Sequence, residues 1–120
     1  MWILNFFLTT ALGRYKKNSE NAFVISLKSR DLYFKIADEE GIEFDLLKKG
    51  IIHFYNSQND LKKAISKKRW IESMGCEWEV LSQDEIFEIE PSLRGNNGIV
   101  GGIYTKSDAT GDIHKYCINL

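Results

Sequence analysis

Gly101-Gly102-Ile103-Tyr104-Thr105-Lys106-Ser107-Asp108-Ala109-Thr110-Gly111-Asp112-Ile113-His114-Lys115-Tyr116 is the stretch on which the reading of this 120-residue chain turns. It opens as a strand whose two adjacent glycines remove all side-chain bulk, which a strand tolerates at a bulge or where a ligand or another backbone comes close. A polar turn follows and closes on Gly111-Asp112, where the Asp112 carboxylate can accept from the free amides of a helix opening at Ile113. That N-cap role explains Asp112 completely. His114 falls in the first turn of the same helix, where the dipole favours a neutral imidazole that exchanges hydrogen bonds without serving as a base.

Upstream, Gly50 to Asn56 is rich in β-branched and aromatic residues and reads as a strand, with His53 on the same side as Ile51 and Tyr55. A single histidine in a strand is more often a hydrogen-bonded packing residue than a ligand or a base. Ser57 with Asp60 signals a helix predicted to run to about Met74, with Gly75 after it. Its Lys62, Lys63, Lys67, Lys68 and Arg69 could meet phosphates. The following Glu77, Glu79, Asp84, Glu85, Glu88 and Glu90 oppose that field, and no nucleic-acid motif is present, so a solvated face is the expectation. Cys76 to Val80 alternates as a half-buried strand with Trp78 and Val80 inward. Ser82-Gln83-Asp84-Glu85 is a capping box opening a short helix that Pro91 stops, and the Gly95 to Gly98 turn feeds the Ile99 to Tyr104 strand.

At the N-terminal end, Trp2, Ile3, Phe6, Phe7 and Leu12 suit a helix packed on protein; its polar face lacks the Lys and Arg of a membrane-surface helix. Asn18 or Ser19 can cap a second helix ending near Glu40, with Gly41 as the left-handed residue past its end. Lys28, Asp31, Lys35, Asp38 and Glu39 form its wet face, and Phe23, Ile25, Leu27, Leu32, Phe34 and Ile36 a wide apolar arc. Arg30 projects inside that arc. A guanidinium there needs a carboxylate, carbonyls or an anionic ligand, so Arg30 is either an ion-paired, outward-reaching side chain or a grip on a substrate carboxylate.

A hydrophobic content of 43%, a charged content of 28% and a formal net charge of -1 fit one globular domain with no global pull toward nucleic acid or an anionic membrane. Cys76 and Cys117 form no C-x-x-C pair, so neither a metal site nor a redox dithiol is signalled, and reduced thiols in a cytoplasmic chain are expected. The order of helices and strands predicts an α+β fold around a small antiparallel or mixed sheet with flanking helices.

The Gly101 to Tyr116 run resembles the D-amino acid dehydrogenases, membrane-associated flavoenzymes of the D-amino acid oxidase superfamily. The similarity continues through Ser29-Arg30-Asp31, Gly50-Ile51-Ile52-His53-Phe54-Tyr55, and Leu81-Ser82-Gln83-Asp84-Glu85 to Glu90-Pro91-Ser92-Leu93. It implies a piece of the substrate domain of an FAD-dependent enzyme that oxidises D-amino acids to 2-oxo acids. By that resemblance Gly101 and Gly102 allow close approach of substrate or flavin, and Tyr104 brings an aromatic hydroxyl near the site. Asp108 and His114 occupy the turn leading back to the flavin domain, and Arg30 is a further substrate-facing candidate. Gly95, Gly98 and Gly101 are spaced three apart and make no G-x-G-x-x-G, so no cofactor-binding residues are assigned within the chain. The chain by itself is therefore expected to bind no FAD and to be inactive, requiring a separately encoded flavin-binding chain, with any place at the inner face of the plasma membrane implied by the resemblance alone. The alternative is a non-catalytic α+β interaction module on the same scaffold.

Overall fold

The computed structural model describes residues 14–120 together with Ile3, Phe6 and Phe7. The helix predicted over 2–12 lies outside the described residues, apart from those three, which are helical and exposed. The chain groups into two compact units, one reaching to Ile42 and including Asn119–Leu120, the other Glu43–Ile118.

The first unit is built on α1 (Arg14–Glu39). It begins ahead of the Asn18 and Ser19 caps, since Arg14, Lys16 and Lys17 are good helix formers and nothing among them breaks the run. Its end follows the prediction. Gly41 takes a left-handed φ of 65°, the Ile42 amide donates to the Ala37 carbonyl at 2.8 Å, and the Gly41 amide donates to that of Asp38 at 3.4 Å. Those two bonds define a Schellman termination, with Ala37 and Ile42 both buried beside it. The covered stripe is narrower than predicted. Phe23, Leu27, Arg30, Phe34 and Ala37 are sheltered at three- and four-residue steps, whereas Ile25 and Leu32 are exposed.

The second unit holds a three-stranded sheet of β1 (Ile51–Tyr55), β2 (Glu79–Leu81) and β3 (Gly101–Thr105) in the order β1-β3-β2, all antiparallel. The last strand in sequence is thus the central one. Register sets Ile52, Tyr104 and Glu79 in one cross-strand row and Phe54, Gly102 and Leu81 in another on the same side. That side carries one core cluster, in which Leu81, Ile86 and Ile99 pack with Ile52, Phe87, Leu93 and Tyr104, while Ile103, also fully buried, falls in the alternate row with His53 and Val80. Val80, predicted inward, is 39% exposed, and Leu81 is the buried residue of β2: the strand begins at Glu79, later than the Cys76 start assumed from alternation.

The single helix predicted from Ser57 to Met74 is two, α2 (Gln58–Ile65) and α3 (Lys68–Glu72). Between them Ser66 Oγ donates to the Lys63 carbonyl, and the Lys67 amide tightens to the Ala64 carbonyl at 3.0 Å. Such local serine bonding competes with the helical ladder. The capping box on α4 (Gln83–Ile89) forms as read, with the Ser82 amide donating to Glu85 Oε2 at 2.7 Å and the Glu85 amide donating to Ser82 Oγ at 3.3 Å. Its Ile86 is fully buried. Pro91 then opens a single 3-10 turn, Pro91–Leu93, and α5 (Ile113–Asn119) completes the order.

Candidate functional site

The glycine pair is closed by the chain itself. A side chain on Gly101 would come within 2.9 Å of Leu61 Cδ2 and of the Leu81 carbonyl oxygen, and one on Gly102 within 2.9 Å of the His53 carbonyl oxygen and 3.0 Å of Ile86 Cδ1. Both residues are buried, and Gly101 has a φ of 147°. The backbone approach that the sequence left open is therefore between β3 and its own neighbours, with α2 and α4 supplying Leu61 and Ile86. His53, on the opposite side of the sheet from Gly102, is exposed.

Tyr104 stands in the row between Ile52 and Glu79, and its hydroxyl donates to the Lys49 carbonyl at 2.7 Å. One face of its neighbourhood opens into a cleft of about 260 Å³ lined by Lys68, Glu77, Trp78, Glu79, Val80, Tyr104 and Lys106. Lys106 Nζ lies 3.0 Å from Glu79 Oε2, and Lys68 pairs with Glu72. The Glu79 carboxylate raises the Lys106 pKa above the ordinary lysine range, so this group is a fixed cation and not a proton acceptor at neutral pH. Together these groups offer aromatic surface beside charges of both signs.

Asp108 and Asp112 belong to a clasp that the sequence did not disclose. The Asp108 amide donates to the Thr105 carbonyl, and its own carbonyl accepts from the Gly50 amide at 3.0 Å. Leu47 and Thr110 exchange both backbone bonds as an isolated antiparallel bridge. Phe44 then stacks edge-to-face on Tyr116 at 5.2 Å, directly where a side chain on Gly111 would fall. Asp112 caps α5 as read: its Oδ1 accepts from the His114 amide at 2.9 Å and the Lys115 amide at 3.1 Å. Lys115 reaches across to Asp45, which holds a left-handed φ of 55°. Asp45 was missed because an isolated Asp in a loop gives no spacing signal; only the fold brings it to Lys115. His114 is exposed and contributes its backbone to the cap.

Arg30 lies in the first unit. Its side chain is 27% exposed, and Nε sits 3.6 Å from Asp31 Oδ1. Gly101, Gly102, Tyr104, Asp108 and His114 share the second unit, but only Tyr104 lines the cleft. Among the described residues no His, Cys, Asp or Glu cluster is arranged to hold a metal, and no helix is long and apolar enough to cross a membrane. Cys76 is buried and Cys117 exposed.

The arrangement does not fit a dinucleotide cradle. Such a cradle needs a strand passing through bare glycines straight into a helix N-terminus. Here the paired glycines lie inside β3 beneath Leu61 and Ile86, and a seven-residue turn separates Thr105 from Ile113.

Residues 7–120 match the family model described as FAD dependent oxidoreductase. The chain is 36% identical over 119 residues to D-amino acid dehydrogenase 3 of Mesorhizobium japonicum, covering 99% of this chain and 28% of that protein. It is 32% identical over 120 residues to D-amino acid dehydrogenase of Dechloromonas aromatica, covering 99% of this chain and 29% of that protein. Among solved structures, glycine oxidase from Geobacillus kaustophilus superposes with a TM-score of 0.68 at 23% identity, over 78% of this chain and 26% of that one. Glycine oxidase from Bacillus cereus gives 0.62 at 18% identity, over 90% and 28%. These last two likenesses establish the fold.

Proposed function

The chain belongs to the FAD-dependent oxidoreductase family, and on that premise we propose that it supplies part of the substrate side of a D-amino acid dehydrogenase whose flavin is held by other polypeptide. The observation that carries this reading is the near-complete match of the chain to D-amino acid dehydrogenases of which it spans less than a third. Flavin bound elsewhere would take the hydride from the amino acid Cα; this chain's part is to position and enclose. Tyr104 presents a ring whose hydroxyl is already committed to Lys49, so it acts as a wall more than as a hydrogen-bond donor to substrate. Gly101 and Gly102 serve indirectly, by letting β3 seat closely among β1, β2, Leu61 and Ile86.

The test is complementation. The Mesorhizobium japonicum relative, with the segment matching this chain removed, is co-expressed with this chain, and dye reduction is followed with D- and L-alanine. Restored, D-selective reduction is expected. A complex that assembles and binds FAD yet reduces no dye with any D-amino acid overturns the reading. The closure of the glycine pair by the chain's own side chains favours a second reading, a non-catalytic α+β module, which predicts that negative result.

A further inference from the structure

The cleft beside Tyr104 carries charges of both signs, and they are not equally free. Lys68 is paired with Glu72, and Lys106 Nζ lies 3.0 Å from Glu79 Oε2, so both cations are engaged. Lys106 is held protonated chiefly by Glu79 and to a smaller extent by Glu77. Glu77 itself forms no ion pair or side-chain hydrogen bond among the described residues. Trp78 is half-buried, and among the same residues its indole has no hydrogen-bond or ring partner. Tyr104 adds a second ring, its hydroxyl committed to Lys49. What remains uncommitted is therefore one carboxylate and two aromatic rings. Counted with Glu72, the charged groups leave one negative charge in excess. Every wall belongs to the second unit, from α3, the segment running into β2, and β3 with the turn after it, so the concavity is formed by this chain's own folding.

We propose that this cleft is a binding site for a small organic ammonium ion, an amine whose cationic head lies against Glu77 and whose apolar body lies on Trp78 and Tyr104. A carboxylate beside aromatic rings favours an ammonium over an anion, because the ring faces are themselves negative. The cleft, at about 260 Å³, falls below the roughly 300–1,000 Å³ of drug-sized sites, so it suits a small amine and not a peptide or a nucleotide. An anion finds no free cation here, since each lysine already has its carboxylate. An α-amino acid would need a cation from other polypeptide for its own carboxylate, so the chain by itself selects amines that lack one. The site stands apart from the D-amino acid reading, and its test needs no flavin.

The test uses the full chain, labelled with heavy nitrogen so that the indole signal of Trp78, one of three tryptophans, can be followed by NMR and assigned with Trp78→Phe. Phenethylamine is titrated at low salt, with phenylpropionate and D-phenylalanine as controls of opposite and of balanced charge. The amine is expected to shift the Trp78 signal saturably at about millimolar concentration, the anion not at all, and the amino acid at least about twofold more weakly. Glu77→Gln, at an exposed position, is expected to weaken the amine about two- to fivefold. Lys106→Gln, which releases Glu79, is expected to strengthen it by a similar factor, and added salt to shrink both changes. A general disturbance of structure would not move the two variants in opposite directions. Absence of a saturable shift with phenethylamine overturns the proposal. So does equal binding of phenylpropionate or D-phenylalanine, a Lys106→Gln chain that binds the amine less tightly, or a Glu77→Gln chain with the parent's circular dichroism and the parent's affinity. If Glu77→Gln does not fold, the Lys106 variant and the two control ligands decide.

Discussion

The ring of Tyr104 occupies the space that a side chain on Gly50 would fill: a Cβ there would meet Tyr104 Cε2 at 2.4 Å and its Oη at 2.6 Å. Gly50 also has a φ of 73°. A residue of β3 and the residue just before β1 are thus fitted to each other twice, by the ring on the bare Cα and by the hydroxyl on the adjacent Lys49 carbonyl.

Replacing Gly50 by alanine is therefore expected to cost about 2 kcal/mol or more, from the positive φ and the displaced ring together. Tyr104→Phe, which keeps the ring and loses the bond to Lys49, is expected to cost about 1 kcal/mol. Urea denaturation of both variants checks the order; equal losses would mean that the hydroxyl and not the ring governs the fit.

For Gly102→Ala the neighbours are a backbone carbonyl and the fully buried Ile86, neither of which yields cheaply. A loss of about 1–3 kcal/mol is expected in thermal or urea unfolding of the chain without any ligand. Were the glycine bare to admit a ligand, the same substitution would leave stability intact and affect only the assembled enzyme.

The Ser82 capping box makes an acid-dependent contribution. Hydrogen bonds from the Ser82 amide and hydroxyl lower the Glu85 pKa below the usual carboxylate range. Its stabilisation is present above the unfolded carboxylate value and is lost as pH falls through the lowered folded value. Ser82→Ala is expected to cost about 1 kcal/mol at neutral pH. The cost should shrink on acidification, as melting curves at pH 7 and in acid would show.

At the alkaline end the relevant pair is Lys115 with Asp45. The Asp45 carboxylate raises the Lys115 pKa, so the pair's contribution is present below the ordinary lysine value and lost as pH rises through the raised one. Asp45→Asn tolerates the left-handed backbone and removes the charge. The variant is expected to lose less stability than the parent as pH rises through that window. Parallel alkaline melts measure the difference.

What could be read from the sequence was what local chemistry decides. Gly41 ended its helix, Ser82 with Glu85 opened theirs, and Asp112 capped α5, because each motif closes within a few residues. The break at Ser66 went unseen because it depends on a serine bonding backward inside an otherwise helical pattern. Alternation placed Val80 inside, but the register against Gly102 and Ile103 chose Leu81. For the candidate site, Tyr104 was legible as an aromatic on a key strand. Its cleft partners Trp78, Lys68 and Lys106 come from three separate segments, and no spacing rule joins them. The glycine pair was expected to admit substrate or flavin, with a bulge or a neighbouring backbone as the other reading; that Leu61, Ile86 and two backbone carbonyls come close to it is a tertiary fact.

Because the middle strand comes last among the described strands, β1 and β2 cannot make the pairings seen here until Gly101–Thr105 follows. Their pairing must close loops of some twenty to fifty residues at a late moment, the kind of non-local step that slows folding and leaves nascent chains open to capture by chaperones or by each other.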